Sequence, residues 1–362
     1  MAGSVVFKEI NINSHKGKYT VNFIDELIHQ LKPFIIEECH FILDANVAKL
    51  YPAELSLIVN HKNTLIIEAT ENNKSFQKIS IFFEKLLKNN IRKNHKIIAI
   101  GGGIIQDITC FIASTLFRGI DWFFFPTTLL AQADSCVGSK SSINLGSIKN
   151  IIGTFYPPKK IFIYSRFLET LELKDLLSGI GEIIKVHAIE SSKSFDELSN
   201  NYSLLKSNYI TLSSYTRKAL IIKKKFIEED EFDIGVRNIF NYGHSFGHAI
   251  ETATNFEIPH GIAVTIGMDM ANFIASESGI LPKKEYIRMH ALLKENYYLY
   301  KKYPIHIDLM YSALMKDKKN VSNKFVLILP SGEDAKVNRV EVINDEVFNN
   351  HCRSFFSRVW FE

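Results

Sequence analysis

A chain of 362 residues is longer than one hydrophobic core usually serves, so two packed domains around a shared cleft are expected. Hydrophobic residues make up 46% and charged residues 23%, an ordinary globular balance that excludes disordered and fibrous classes. The formal charge of +4 is small for this length, and the basic residues are interspersed with acidic ones, which excludes the basic face of a nucleic-acid binder.

The opening residues lack the basic and apolar regions of a secretory signal, and no apolar run reaches bilayer length. Cys39, Cys110, Cys136 and Cys352 form no CxxC pair, so neither a disulfide framework nor a cysteine zinc site is indicated. Cys110 and Cys136 sit among small or apolar residues and read as buried thiols. A reducing cytoplasm and no membrane partner are expected.

Taken in chain order, residues 23–31 and 76–87 carry apolar side chains at helical spacing, while 41–43, 64–68, 96–100 and 122–125 are β-branched or aromatic runs. Strands alternating with helices predict an α/β N-terminal domain with a parallel sheet, a nucleotide-binding architecture. Between residues 96–100 and a helix start lies Gly101-Gly102-Gly103. Glycines let a phosphate approach the backbone, and the helix N-terminus aims unpaired N–H groups and a positive dipole end at it. The pattern is not GxGxxG, so a ligand-free tight turn is the competing reading.

Tyr156-Pro157-Pro158-Lys159 reads as a loop before a last strand at 160–164. Beyond about Leu171 long helical patterns take over, at 173–191, 209–229, 237–253 and 260–278, with one late strand at 325–329. The expected division is a nucleotide-binding α/β domain over 1–172 and an all-α metal- and substrate-binding domain over 173–362.

His244 and His248 fall one helical turn apart, and His260 follows a short loop at the start of the next helix. With a carboxylate from Ser178-Gly179-Ile180-Gly181-Glu182, these imidazoles form a nitrogen and oxygen set suited to a catalytic Zn²⁺ with an open position. The plain alternatives are a surface histidine pair and a solvated Glu182–Lys185 helix pair.

Several motifs stand in a fixed order: GGGIIQD, FRGI, PTTLLAQADSCVGSKSSIN, KNIIGTFYPP, GEIIK, RNIFNYGHSFGHAIE and HGIAVTIGM. On these the chain resembles the 3-dehydroquinate synthase family and the wider sugar-phosphate cyclases, related in fold to glycerol dehydrogenases. The resemblance runs from about Asp44 to the Asp317-Lys318-Lys319 segment.

Residue by residue, the resemblance implies Glu182, His244 and His260 as ligands of Zn²⁺ or Co²⁺, with His248 turned to the substrate. It implies an NAD site lined by Asp44, Asn46, Glu71, Lys74, Gly101, Gly102, Gly103, Asp107, Thr127 and Thr128, shared in part with Asp134, Lys140 and Lys149. Asp134, Lys140, Lys149, Asn150, Lys185, Lys223, Arg237, Asn241 and one of Lys318 or Lys319 match substrate positions. Arg118 matches an arginine that reaches a neighbouring subunit's active site, so a homodimer is implied.

The family substrate, 3-deoxy-D-arabino-heptulosonate 7-phosphate, bears a carboxylate and a phosphate, which explains converging cations in a nearly neutral chain. The implied reaction is transient NAD oxidation, β-elimination of phosphate, re-reduction and an intramolecular aldol closure, a carbon–oxygen lyase step in the shikimate pathway to aromatic amino acids. Residues Val137 to Asn144 read VGSKSSIN where the family commonly shows VGGKTGIN, Gln106 replaces a glycine, and HGIAV replaces HGEAV. Arg237 and Asn241 match the dehydroquinate-type carboxylate pattern. Cyclisation of sedoheptulose 7-phosphate or glucose 6-phosphate, and NAD-linked polyol oxidation, are the alternatives.

Overall fold

A computed structural model describes residues 9–146, 148–316 and 324–360, so Lys318 and Lys319 lie outside the described residues. The chain forms two compact units, Met1–Leu171 with Lys223–Phe232, and Glu172–Ile222 with Asp233–Glu362.

The strands of the first unit are β1 (Glu9–Ile12), β2 (Tyr19–Ile24), β3 (Cys39–Asp44), β4 (Thr64–Ile67), β5 (Lys96–Gly101), β6 (Asp121–Pro126), β7 (Lys140–Leu145), β8 (Ile148–Phe155) and β9 (Lys160–Tyr164). Seven of them form one sheet in the order β1-β2-β9-β6-β5-β3-β4, parallel throughout except for β1 against β2. Every residue of β3 is buried, as a central strand covered on both faces requires. On one face Phe41, Leu43, Ile98, Ile100, Phe125 and Phe162 pack together, and the Phe125 and Phe162 rings stack at 4.6 Å, an arrangement that stabilises by about 1 kcal/mol beyond its buried area.

From β3 the chain runs outward to β4 and then returns to β5 on the other side of β3, so the strand order reverses between β3 and β5. Crevices at the carboxyl ends of strands at such a reversal are where open α/β sheets hold their ligands. The glycine turn closes β5 at this edge.

The helix expected over 23–31 is shorter than its spacing suggested. Phe23 and Ile24 end strand β2, paired with Ile163 and Tyr164, and only Leu27–Leu31 is helical. The apolar spacing of Phe23, Leu27 and Leu31 imitates a helix face, but parallel pairing with β9 claims Phe23 for the sheet.

The second unit is predominantly helical and carries one antiparallel hairpin, β10 (Lys324–Ser331) with β11 (Lys336–Ile343). Its central helix, His260–Glu277, is buried at every position from Gly261 to Ala275, an apolar-all-round helix enclosed by its neighbours. The pattern over 237–253 is not one helix. A 3-10 turn, Val236–Asn241, is followed by Gly243 at φ +77°, and the helix proper is His244–Ala253. Glycine is required there twice over, because the backbone is left-handed and a β-carbon would come 2.5 Å from the Val264 carbonyl oxygen.

Candidate functional site

In the second unit, three helix segments converge on one point. Glu182 lies in the middle of the helix Leu173–Glu190, His244 opens His244–Ala253, and His260 opens His260–Glu277. The convergence follows from small residues beside the functional ones. Gly181 faces Gly261 and Thr265 with no room for a β-carbon, and the Gly261 N–H donates to Ser178 Oγ at 2.9 Å. Two helices so close bring their next residues, Glu182 and His260, face to face.

Glu182 Oε1 lies 3.6 Å from His260 Nε2 and 3.9 Å from His244 Nε2. One ligand atom from each of His244, His248 and His260 also falls within 4.8 Å of the others. His244 Nδ1 lies 3.2 Å from the Tyr242 carbonyl oxygen and His260 Nδ1 lies 3.2 Å from Glu251 Oε1. Both oxygens can only accept, which assigns the ring proton to Nδ1 and leaves an Nε2 lone pair directed at Glu182. Burial, helped by the Lys185 charge, holds the His244 pKa well below its usual value, so this ring stays neutral. Burial also works against charge on His260, but the hydrogen bond and charge of Glu251, with Glu182, outweigh it and raise that pKa.

Glu182 is 1% exposed, and neither carboxylate oxygen accepts a hydrogen bond. Oε2 faces the ammonium of Lys185, itself buried one helical turn on, which rules out a solvated helix pair. Oε1 faces the two imidazole lone pairs. A desolvated carboxylate oxygen opposed by two further acceptors is strongly unfavourable alone and is the arrangement that a divalent cation satisfies. The residues therefore fit a metal. Glu251, which orients His260, was quoted within a sequence motif but given no role there; an acid nine residues before a candidate ligand was the only signal for it.

In the first unit, the residues expected at the nucleotide follow the carboxyl ends of β3, β4, β5 and β6. Asp44 ends β3 and caps the helix Ala45–Leu50, accepting from the Asn46 N–H at 2.8 Å, and burial raises its pKa. Asn46 itself is exposed. Gly102 caps the helix Gly103–Thr115. A β-carbon on Gly101 would press on Ile105 at 2.5 Å and one on Gly102 on Thr128 at 2.9 Å, whereas one on Gly103 would meet only Ser135 Oγ, at an ordinary 3.9 Å. Thr127 donates its N–H to the Gly101 carbonyl, and Thr128 Oγ1 accepts from the Ala131 N–H. Gln106, the departure from the family glycine, bonds to Ser135 through both ends of its amide, at 2.6 and 2.7 Å.

Lys74 is buried and joins several of these positions. Its ammonium reaches Asp107 Oδ2 at 3.0 Å, Asn150 Oδ1 at 2.7 Å and Glu71 Oε1 at 3.8 Å. Asp107 Oδ1 accepts from the Ser142 N–H, and Asn144 donates to Glu71 at 2.9 Å. Lys223 is nearly buried and pairs with Asp134 at 2.9 Å, also donating to its carbonyl. Lys140 and Lys149 are exposed on the β7–β8 hairpin.

The structure does not bring Arg118 to this group. It precedes β6, at the edge of the sheet opposite the glycine turn. Phe117, Arg118 and Gly119 have φ of +49°, +61° and +117°, three consecutive residues in left-handed or glycine-like backbone, and Lys93 donates to the carbonyls on both sides of Arg118. Strained backbone of this kind persists where surrounding structure enforces it. In the second unit Arg237 is buried in the 3-10 turn with Asn241, and the Lys185 ammonium lies 5.8 Å from the Phe240 ring centre. His248 is exposed beside the metal-type cluster.

All four cysteines are free and buried, and burial pushes the thiols of Cys110 and Cys136 up to about 12, making them inert. Among the described residues no helix is long and apolar enough to cross a membrane.

Comparison with known proteins gives one direction. The family profile described as 3-dehydroquinate synthase N-terminal matches residues 64–178, and the one described as 3-dehydroquinate synthase C-terminal matches 179–320. The 3-dehydroquinate synthase of Clostridium tetani is 36% identical over 331 residues, covering 90% of this chain and 88% of its own. The fold is shared with 2-deoxy-scyllo-inosose synthase in complex with carbaglucose-6-phosphate, NAD⁺ and Co²⁺, at TM-score 0.81, 22% identity and coverage of 95% and 99%. It is shared equally with 2-epi-5-epi-valiolone synthase from Streptomyces hygroscopicus with NAD⁺ and Zn²⁺ bound, at TM-score 0.82, 24% identity and coverage of 94% and 96%. Family profiles spanning both units, together with that identity over nine-tenths of the chain, place it in the 3-dehydroquinate synthase family.

Proposed function

We propose that this chain converts 3-deoxy-D-arabino-heptulosonate 7-phosphate to 3-dehydroquinate with release of phosphate, acting as a phosphate-eliminating carbon–oxygen lyase of the cytoplasm. The single observation that carries the catalytic part is the buried Glu182 Oε1 set against two imidazole nitrogens, at 3.6 and 3.9 Å. Glu182, His244 and His260 would hold Zn²⁺ or Co²⁺, and the turn at Gly101–Gly103 with Asp44, Glu71, Lys74, Asp107, Thr127 and Thr128 would hold NAD. When bound, NAD supplies a reversible hydride acceptor and the cation a Lewis acid that acidifies the alcohol being oxidised.

The chain's own groups then have defined tasks. The Tyr242 carbonyl and Glu251 accept from the Nδ1 atoms of His244 and His260 and so turn both Nε2 atoms toward Glu182. Lys185 pairs with the second oxygen of Glu182 and holds the carboxylate with Oε1 turned to the imidazoles. Arg237, a planar fork held in a buried turn, suits the substrate carboxylate, with Asn241 beside it and Lys140 and Lys223 adding charge. Asn150, His248 and one of Lys318 or Lys319 suit the phosphate. The strained loop carrying Arg118, away from the nucleotide turn, supports its service to the partner of a homodimer.

The test is phosphate release from three sugar phosphates, 3-deoxy-D-arabino-heptulosonate 7-phosphate, sedoheptulose 7-phosphate and glucose 6-phosphate, with NAD⁺ and metal present and the product identified. Release with 3-dehydroquinate formed and no accumulating NADH is expected from the first alone. Turnover of another substrate, or sustained NADH production from a polyol, would replace this reading.

A further inference from the structure

Two tethers run from the segment after Ile222 to the loop that leads into β7. One is the Lys223–Asp134 pair, and the other is Glu231, which no motif singled out. Glu231 Oε1 accepts from Ser139 Oγ at 2.8 Å and from Ser14 Oγ at 2.6 Å, and lies 3.1 Å from His15 Nδ1. Its Oε2 accepts from the His15 N–H at 2.8 Å.

The Ser139 backbone is left-handed at φ +59°, directly after Gly138 at φ +104°. A residue with a β-carbon is strained there, whereas glycine is not. The turn is fixed by the Tyr156 N–H on the Ser139 carbonyl at 2.7 Å and by the Glu231 carboxylate on its hydroxyl. The next residue is Lys140, the first of β7.

We infer that Glu231 is a positioning residue for Lys140: its hydrogen bond to the Ser139 hydroxyl holds a left-handed turn that glycine would adopt unaided. The substrate-directed role of Lys140 rests on the function proposed above; the clamp on the turn does not. The serine and the carboxylate then form a matched pair in this chain. A purely structural Glu231, tying down the Ser14–His15 loop, would be indifferent to which residue occupies 139.

The experiment compares Ser139→Gly, Ser139→Ala, Glu231→Ala and Ser139→Gly/Glu231→Ala in the full-length protein loaded with NAD⁺ and metal. Ser139→Gly should stay within about twofold of the parent in kcat/KM, while Ser139→Ala, which keeps the β-carbon but loses the hydroxyl, should fall about tenfold at unchanged NAD⁺ affinity. Glu231→Ala should fall similarly, and adding Ser139→Gly should restore most of the loss. Should Glu231→Ala fold poorly, the Ser139→Ala and Ser139→Gly pair decides alone. A loss in Glu231→Ala undiminished by Ser139→Gly, or equal activities for Ser139→Ala and Ser139→Gly, overturns the inference.

Hydrogen exchange over residues 138–142 supplies a readout that needs no turnover. It should quicken in Ser139→Ala and in Glu231→Ala, and unchanged exchange overturns the clamp. A parent inactive on every sugar phosphate overturns the proposed function instead and leaves this measurement to judge the clamp.

Discussion

Gly261 packs against Ser178 so closely that a β-carbon on Gly261 would overlap the Ser178 carbonyl oxygen. His260 is the next residue along its helix and Glu182 lies one turn beyond Ser178 on the other, so the helix crossing and the proposed metal site are one geometrical fact. Gly261→Ala must push the two helices apart or bend one of them. The expected result is a loss of about 2–4 kcal/mol in stability together with weakened metal retention, the cost typical of overpacking a close crossing with backbone on both sides. Urea unfolding and metal analysis of the purified variant check it, and wild-type metal content at reduced stability would separate the crossing from the site.

Removing a ligand tests the site more directly. His244→Ala should lose metal and turnover together, because two remaining ligands bind a divalent ion far more weakly than three. Glu182→Gln removes the charge while keeping the shape, and it also takes from the buried Lys185 ammonium the carboxylate it faces. Stability in chelator is therefore expected to fall in Glu182→Gln together with metal content. A full complement of metal in either variant would refute the ligand assignment.

Much of the first unit was open to reading from residues alone. The strands expected at 41–43, 64–68, 96–100 and 122–125 correspond to β3, β4, β5 and β6, because buried parallel strands are short apolar runs set between helices. The helix expected over 23–31 overlaps the end of β2 because Phe23 shares the spacing of the helix Leu27–Leu31 that follows. The β7–β8 hairpin went unread since polar residues Lys140, Ser142, Lys149 and Asn150 interrupt any alternation. At the site, the histidine spacing pointed to metal chemistry, but spacing could not choose among three imidazoles and a carboxylate. That choice depends on burial and on which ring nitrogen is already occupied, properties that exist only once Glu251 and Tyr242 are in place. Glu231 was invisible for the same reason, its partners lying 92 and 217 residues away.

Lys74 is the cation at the centre of the nucleotide-side network, and Asp107 depends on it. Burial raises the Asp107 pKa, and Lys74 opposes that rise through charge and a hydrogen bond. Lys74→Met leaves the partly buried Asp107 carboxylate with the Ser142 N–H as its remaining donor among the described residues, which should destabilise the protein by about 1–2 kcal/mol. NAD⁺ affinity should fall as well, because Glu71 and Asn150 each lose a cationic partner. Adding Asp107→Asn should recover stability but not NAD⁺ affinity, and calorimetry with NAD⁺ separates the two.

Arg237 is expected to act on the substrate alone. Arg237→Lys keeps a positive charge but gives up the planar two-point fork, so KM should rise roughly tenfold or more while NAD⁺ affinity is retained. Arg237→Ala should be worse in the same direction. Steady-state kinetics with the carboxylate-bearing substrate check this, and an unchanged KM in both variants would remove Arg237 from the substrate site.

Acid should weaken the fold before it reaches the carboxylates, through two histidines outside the site. His40 is fully buried against His95, and burial together with the neighbouring His95 and His61 charges depresses its pKa to about 4. His187, bonded to Ser194 at 2.7 Å, is brought to about 4 by burial and the Lys218 charge. In the unfolded chain both would titrate near 6.5, so between pH 6.5 and 4 the unfolded state binds more protons and stability falls as pH falls. Their contribution is intact above pH 6.5 and fully lost below pH 4. At pH 5 each accounts for a loss of up to about 2 kcal/mol relative to pH 7. His187→Gln, which cannot charge, should flatten the dependence by that amount in urea unfolding at the two pH values. An equal slope in parent and variant would show that His187 protonates in the folded state at its ordinary pH.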